Sequence, residues 1–482
     1  MKTNIGGSYH VLTDKETQLI HETSLRILGE IGFEIEFSPL LDLLEEKGAT
    51  VDKENQKAFL PPELISWCIK QAPGEFTFYG LQDGKQIHLG GEKVHFGTGG
   101  KGIYVMELDR EKRPAHLQDV ANFARLADKL EHIDYYIIPT HSHDVNINHL
   151  DVNDFYQSLK NTGKPVMGGI YDKKGLERVI ELSSLLAGNI EKLRRKPFVG
   201  FITSIMSPLR LEKDRGEILF DVAKQGLPLV VSTAPIAGAT APITLAGTLA
   251  LQNAEALMGV VLSQLVNPGT PVFYSAVPCT MDMRTGSFLM GSIESGLMNA
   301  AVSQMAHHYR LPSYITVGTT DSKIPDAQAA FESATNNMLA ALAGGNFIHQ
   351  AFGFLDGALT ISYAKFVIDN DIVGSCMRAL RGIDISEKTL AFDVIADVGP
   401  GGNFLGEKHT SEFMRKEMYT PRVSMRQDYQ TWLKGGGKDS WEKAEEIARQ
   451  ILGEPKTSYI SEEMQVKIES LFPELLQVVK AA

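Results

Sequence analysis

The sequence predicts an α/β chain built as a (β/α)8 TIM barrel with mostly helical extensions at both ends. Three observations carry this. From about Val94 onward, short β-branched or aromatic runs alternate eight times with longer segments whose apolar residues recur every three or four positions. Four of those runs open just after a proline, at Pro165, Pro197, Pro228 and Pro271, where a helix stops and an extended segment begins. A doubly wound open sheet is the alternative, but it normally carries a Gly-x-Gly-x-x-Gly turn after an early strand. GTGGKG at 97–102 has a different spacing.

Taken in order, residues 1–92 hold helices near 15–31 and 61–71 and read as a helical extension that packs on the barrel. Strands are expected at 94–97, 135–140, 166–170, 198–203, 229–233, 272–275, 314–318 and 346–350. Helical segments follow them, such as LQDVANFARLADKL from Leu117, LERVIELSSLLAG from Leu176 and DAQAAFESATNNMLAALAG from Asp326. Continuous apolar strands need helices on their outer face, so residues 93–385 form the closed parallel barrel. Residues 386–482 read as a C-terminal helical extension containing SWEKAEEIARQILG. With no low-complexity linker between these parts, the extensions are expected to cap the barrel or build contacts between copies in a homo-oligomer.

Composition narrows the partners. The formal charge of -12, from 59 acidic and 47 basic residues, disfavours nucleic acid and anionic membrane. Cys68, Cys279 and Cys376 lie too far apart in sequence for a disulfide framework or a zinc-ligand pair, which suits the cytoplasm. The first residues contain no apolar core of signal-peptide type. Gln252, Asn253 and Glu255 interrupt the apolar stretch 243–266, so no membrane span is expected.

In such a barrel the chemistry sits at the carboxyl ends of the strands. Hydroxyls, aromatics and a few histidines dominate there, with Gly97 and Thr98 ending the first strand and His349 and Gln350 the last. His141 and His143 invite a metal-dependent hydrolase reading, since alternate strand residues share a face. The further ligands such a site needs are missing from the ends of strands five, six and eight, so no metal is expected and the pair reads as hydrogen-bonded histidines. His349 is either a donor to a ligand carboxylate or a satisfied core histidine. Phe96, Tyr104, Tyr274, Phe352 and Phe354 fall near the same rim and suit a quaternary ammonium, each face contributing about 0.5–2 kcal/mol when desolvated. Arg284 and Glu294, in DMRTGSFLMGSIES, serve either as a carboxylate fork with a nearby negative charge or as a mutual salt bridge. Asp321 stands in the loop after the seventh strand. Gly-x-Ser-x-Gly is absent from any strand-to-helix turn, so a serine hydrolase is unsupported.

Several stretches resemble the trimethylamine methyltransferase superfamily: HFGTGGKGIYVMELDREKRPAHLQDVANFARLADKLEHID, PITLAGTLALQNAEALMGVVLSQLVNPGTPVFYS, DMRTGSFLMGSIE, GTTDSKIPDAQA and PRVSMRQDYQTWLKGGGKDSWEKA. The resemblance implies a methyltransferase that hands a methyl group from a small amine to a corrinoid carried on a partner protein, with no cofactor of its own tightly bound. Trimethylamine-using members carry pyrrolysine near the loop that here reads Gly318, Thr319, Thr320, Asp321, Ser322 and Lys323. Only standard residues occur in this chain, so the resemblance points to the branch that demethylates quaternary amines: glycine betaine first, or proline betaine, carnitine or γ-butyrobetaine. A non-catalytic betaine-binding barrel is the competing reading.

Overall fold

The computed structural model describes residues 5–476 of the chain. Eight parallel strands lie where the apolar runs place them: β1 (His95–Phe96), β2 (Tyr136–Ile137), β3 (Val166–Gly169), β4 (Val199–Ile205), β5 (Leu229–Thr233), β6 (Tyr274–Ser275), β7 (Ser313–Thr316) and β8 (Phe347–His349). Helices α1 (Leu117–Lys129), α2 (Leu150–Asn161), α3 (Lys173–Ala187), α4 (Lys213–Gln225), α5 (Leu245–Val266), α6 (Ile293–Tyr309), α7 (Ala327–Leu342) and α8 (Tyr363–Leu380) follow them in turn.

Pairing runs β2-β3-β4-β5 and β6-β7-β8-β1. Two bridges, Gly97 to Tyr135 and Leu229 to Val272, join the two sheets into a ring. Stepping the pairings round from Gly97 returns to the first strand's chain at Leu89, eight residues earlier. Eight strands with an offset of eight is the tilt of a (β/α)8 barrel.

That tilt sorts the inward side chains into layers of four. The lowest holds Tyr135, Gly200, Phe273 and Phe347, followed by Gly97, Met167, Val230 and Tyr314. Above them come Ile137, Ile202, Ser275 and His349, and at the top Gly99, Gly169, Ser232 and Thr316. The apolar members pack as one inner cluster, separate from the larger layer between strands and helices. Alternation along the strands produces this division, since neighbouring residues point to opposite faces.

A hairpin of Glu75–Tyr79 with Gln86–Gly90 plugs the lower end of the barrel. Phe78, Ile87 and Leu89 enter the inner cluster, and Phe76 meets Phe273 edge-on at 5.2 Å. Burying each such side chain contributes roughly 1.5–3 kcal/mol and closes that end of the barrel. This hairpin and the small sheet of Phe33–Ile35, Thr50–Asp52 and Lys57–Phe59 stand beside the helices Asp14–Arg26, Ser38–Glu46 and Pro62–Gln71 in the N-terminal extension. Strands this short carry too few alternations to register as a pattern.

The apolar helix α5 is long enough to cross a membrane, yet it is buried inside this chain. Its polar residues explain the arrangement: Asn253 accepts from the Tyr274 hydroxyl at 2.6 Å, and Glu255 accepts from Ser207, Thr233 and the Leu209 amide. Beyond α8, the helix Ser440–Gly453 packs on α8 and α1.

Candidate functional site

Some of the buried polar atoms that lack partners face the interior of the barrel. Gly97 faces inward, and a Cβ there would stand 2.2 Å from the Tyr135 ring, so only glycine lets that ring lie across β1. Tyr135 stacks on Phe347 at 3.5 Å. One layer up, Tyr314 stacks on His349 at 4.0 Å. The Tyr135 hydroxyl, the Ser275 hydroxyl and both ring nitrogens of His349 are buried without a hydrogen-bond partner. Leaving such groups unsatisfied costs about 1–3 kcal/mol each, so unsatisfied donors facing the barrel interior suit a ligand that is polar at one end.

Burial holds the His349 imidazole down to about 3, so it is neutral near pH 7, with one nitrogen able to donate and the other to accept. Burial likewise raises the Tyr135 and Tyr314 phenols above their usual range, which keeps them protonated donors. Gln350 sits at φ 59, with its Oε1 accepting from Thr316 at 2.8 Å and Thr319 at 3.2 Å. Its Nε2 lies beside Gly100, where a Cβ would approach to 2.6 Å. The glycine-rich loop after β1 thus lies flat against His349 and Gln350, and Gly99 comes close to His349 Nδ1 in the same way.

Gly97, His349 and Gln350 meet at this mouth. Several other residues expected there do not. Phe96 and Tyr274 point outward between strands and helices, because they sit one residue out of phase with the inward set. Phe352 packs on Phe366 of α8 at 5.9 Å, and Phe354 closes behind Gly100. Tyr104 lies beside the mouth with the Lys112 ammonium 4.5 Å above its ring. The Thr98 hydroxyl is used up, donating to the Ile137 carbonyl at 2.6 Å and accepting from its amide at 2.8 Å. Arg284 is 88% exposed and pairs with Asp282 at 2.9 Å, while Glu294 lies exposed in the first turn of α6. Neither the carboxylate fork nor the mutual salt bridge therefore forms. Asp321 accepts from the Met290 and Gly291 amides, both at 3.0 Å, and burial raises its carboxyl. It fastens two loops at the rim.

The His141 and His143 rings meet edge to face, their centroids 5.1 Å apart. Among the described residues no group of three or more His, Cys, Asp or Glu side chains could hold a metal ion.

Tyr135, Ser275 and Tyr314 supply the inner wall. The signal for them was the strand period: counting inward positions from Phe347 and His349 through the register selects them and rejects Tyr274. Registers are set by tilt, which no single strand records.

Comparison with known proteins adds a second line. The family model described as trimethylamine methyltransferase (MTTB) matches residues 2–472. A glycine betaine methyltransferase of Desulfitobacterium hafniense (strain Y51) is 37% identical over 430 residues, 88% of this chain and 89% of that protein. A trimethylamine methyltransferase of Desulfitobacterium hafniense (strain DSM 10664 / DCB-2) is 34% identical over 465 residues, 96% of this chain and 93% of that one. The crystal structure of the Methanosarcina barkeri monomethylamine methyltransferase superposes with a TM-score of 0.52 at 11% identity, over 93% of this chain and 95% of that one. At that identity the likeness speaks for the fold alone.

Proposed function

The chain belongs to the trimethylamine methyltransferase family, and from that premise we propose that this methyltransferase moves a methyl group from glycine betaine to the corrinoid of a partner protein. The observation that carries the substrate reading is the cluster of orphaned donors, His349, Tyr135 and Ser275, set against aromatic rings in an otherwise apolar barrel. A betaine has one end for each: a carboxylate for the donors and a trimethylammonium for rings and solvent-facing space.

The chemistry asks little else of the protein. A quaternary nitrogen is already positive, so when its carbon–nitrogen bond breaks the electron pair stays on nitrogen and dimethylglycine leaves as a neutral amine. The corrinoid's reduced cobalt supplies the electron pair for the new bond to the methyl carbon. No proton moves in this step, which agrees with a His349 too desolvated to act as a base near pH 7. The work of His349, Tyr135, Ser275 and the Gln350 amide is to hold one N-methyl toward the open end of the barrel, in line with the incoming nucleophile.

The partner docks over that end. Loops after β3, β4, β5, β6 and β8 present Tyr171, Met206, Ile243, Met283 and Leu359 there, all exposed. An apolar rim of this kind fits a protein that must cover the mouth and leave again. Self-association is assigned to the segment 384–434, in which four short helices bury no residue, Val423 alone is buried, and Phe392, Leu405 and Met418 are exposed. The cytoplasm is the compartment assigned to the reaction.

Calorimetric titration with glycine betaine, carnitine and trimethylamine tests the substrate reading. Saturable heat with a betaine and none with trimethylamine is expected, and binding of trimethylamine alone would contradict it.

A further inference from the structure

We propose that Lys101 recognises the carboxylate of the substrate, its ammonium group reaching over the open top of the barrel toward the anionic end that His349 meets from below. The proposal rests on the betaine reading above and adds the residue that tells a betaine from a plain cation.

Geometry places Lys101 there. The top inward layer has glycine at two of its four positions, Gly99 and Gly169, on strands flanking β2. At Gly99 the missing side chain lets the loop lie against His349, where a Cβ would stand 2.7 Å from Nδ1; at Gly169 it leaves room above the strand. The Lys101 stem occupies that room: a Cβ at Gly169 would meet Lys101 Cε at 3.7 Å. Gly169, Ile202 and Ser232 are partly exposed although they face the barrel interior. Solvent therefore reaches the space that Lys101 overhangs.

The charge of Lys101 is unclaimed. Among the described residues no hydrogen bond and no ion pair within 4 Å ends on its ammonium, although its field reaches His141, Asp151 and Asp154. Asp151 accepts from the Tyr171 amide at 2.8 Å and Asp154 from Ser142 at 2.7 Å, while the other oxygen of each has no hydrogen-bond partner. Burial pushes Asp154 up to about 7 and also raises Asp151, so the pair offsets Lys101 by less than two full charges at neutral pH.

Other cations near the mouth are engaged elsewhere. Lys112 and Lys323 each pair with Asp356 at 3.0 Å, Arg215 donates to the Ile170 carbonyl at 2.9 Å, and Arg284 is held by Asp282.

An ammonium facing a carboxylate in a partly desolvated site makes a charge-assisted hydrogen bond, about twice as strong as a neutral one. The same charge repels a ligand that offers only a cation. Lys101 thus supplies attraction toward betaines and rejection of choline-like or trimethylammonium ligands, and specificity needs both.

The test compares wild type, Lys101→Gln and Lys101→Arg, titrated calorimetrically with glycine betaine, tetramethylammonium and 3,3-dimethylbutanoate, the uncharged-carbon isostere that keeps the carboxylate. Lys101→Gln is expected to weaken both carboxylates by roughly 10-fold or more, the scale of a lost hydrogen bond to a charged group. Tetramethylammonium binding should hold or tighten, and Lys101→Arg should recover most of the loss. Unchanged betaine affinity in Lys101→Gln overturns the assignment. So does equal weakening of all three probes, which would make Lys101 a shaping residue. Wild type that binds none of them overturns the betaine reading itself, and Lys101's role with it.

Discussion

Replacing His349 with leucine separates what the histidine does for the ligand from what it costs the fold. The ring is buried with both nitrogens unpartnered, and burial depresses its ionisation to about 3. In the unfolded chain a histidine titrates near 6.5. Between these values the unfolded state binds a proton that the native state does not, so wild-type stability falls as pH drops from about 6.5 toward 3. The slope is about 1.4 kcal/mol per pH unit. Leucine has no such slope. At pH 7 the variant loses the stack on Tyr314, about 0.5–1.5 kcal/mol, but is relieved of an orphaned polar group at about 1–3 kcal/mol, so it matches or exceeds wild type. At pH 5 its advantage should have grown by about 2 kcal/mol. Urea denaturation of both proteins at pH 7 and pH 5 measures this directly. A stability difference that stays constant between the two pH values would refute a neutral, desolvated His349. Betaine affinity of the variant should meanwhile drop roughly 10- to 150-fold, the equivalent of losing one hydrogen bond to a charged acceptor.

Gly97→Ala places a methyl 2.2 Å from the Tyr135 ring, so it should destabilise the protein by about 1–3 kcal/mol and displace the ring; a melting temperature equal to wild type would count against the close approach. Tyr274→Phe removes the hydroxyl that donates to Asn253, costing about 1 kcal/mol in denaturant titration while leaving the Kd for betaine unchanged. Arg284→Ala should shift stability by less than about 0.5 kcal/mol and leave betaine affinity alone, since its partner Asp282 is on the same exposed hairpin.

Much of the barrel was legible because its strands are continuous apolar runs and four of them follow prolines. Every one of the eight expected strands overlaps an observed one, and 440–453 is helical as read. The plug hairpin was not legible, since Glu75–Tyr79 and Gln86–Gly90 alternate too briefly to stand out. Within the site, His349, Gln350 and Gly97 were readable because the end of a barrel strand marks its residues as rim. The aromatic wall was not. Phe96, Tyr274 and Tyr314 are all aromatic residues of short strands, but one residue of phase sends the first two into the helix layer and the third into the barrel. Lys101 was hidden for another reason: its importance comes from Gly169, 68 positions further along the chain and two strands round the ring, which leaves room for its stem.

The central claim is methyl transfer from a betaine. Its most direct test is the cobalt(I) absorbance of a reduced corrinoid protein mixed with this enzyme and glycine betaine, with dimethylglycine measured alongside. Loss of the cobalt(I) band matched one-for-one by dimethylglycine is the predicted result; a band that persists with every betaine but disappears with trimethylamine would contradict it.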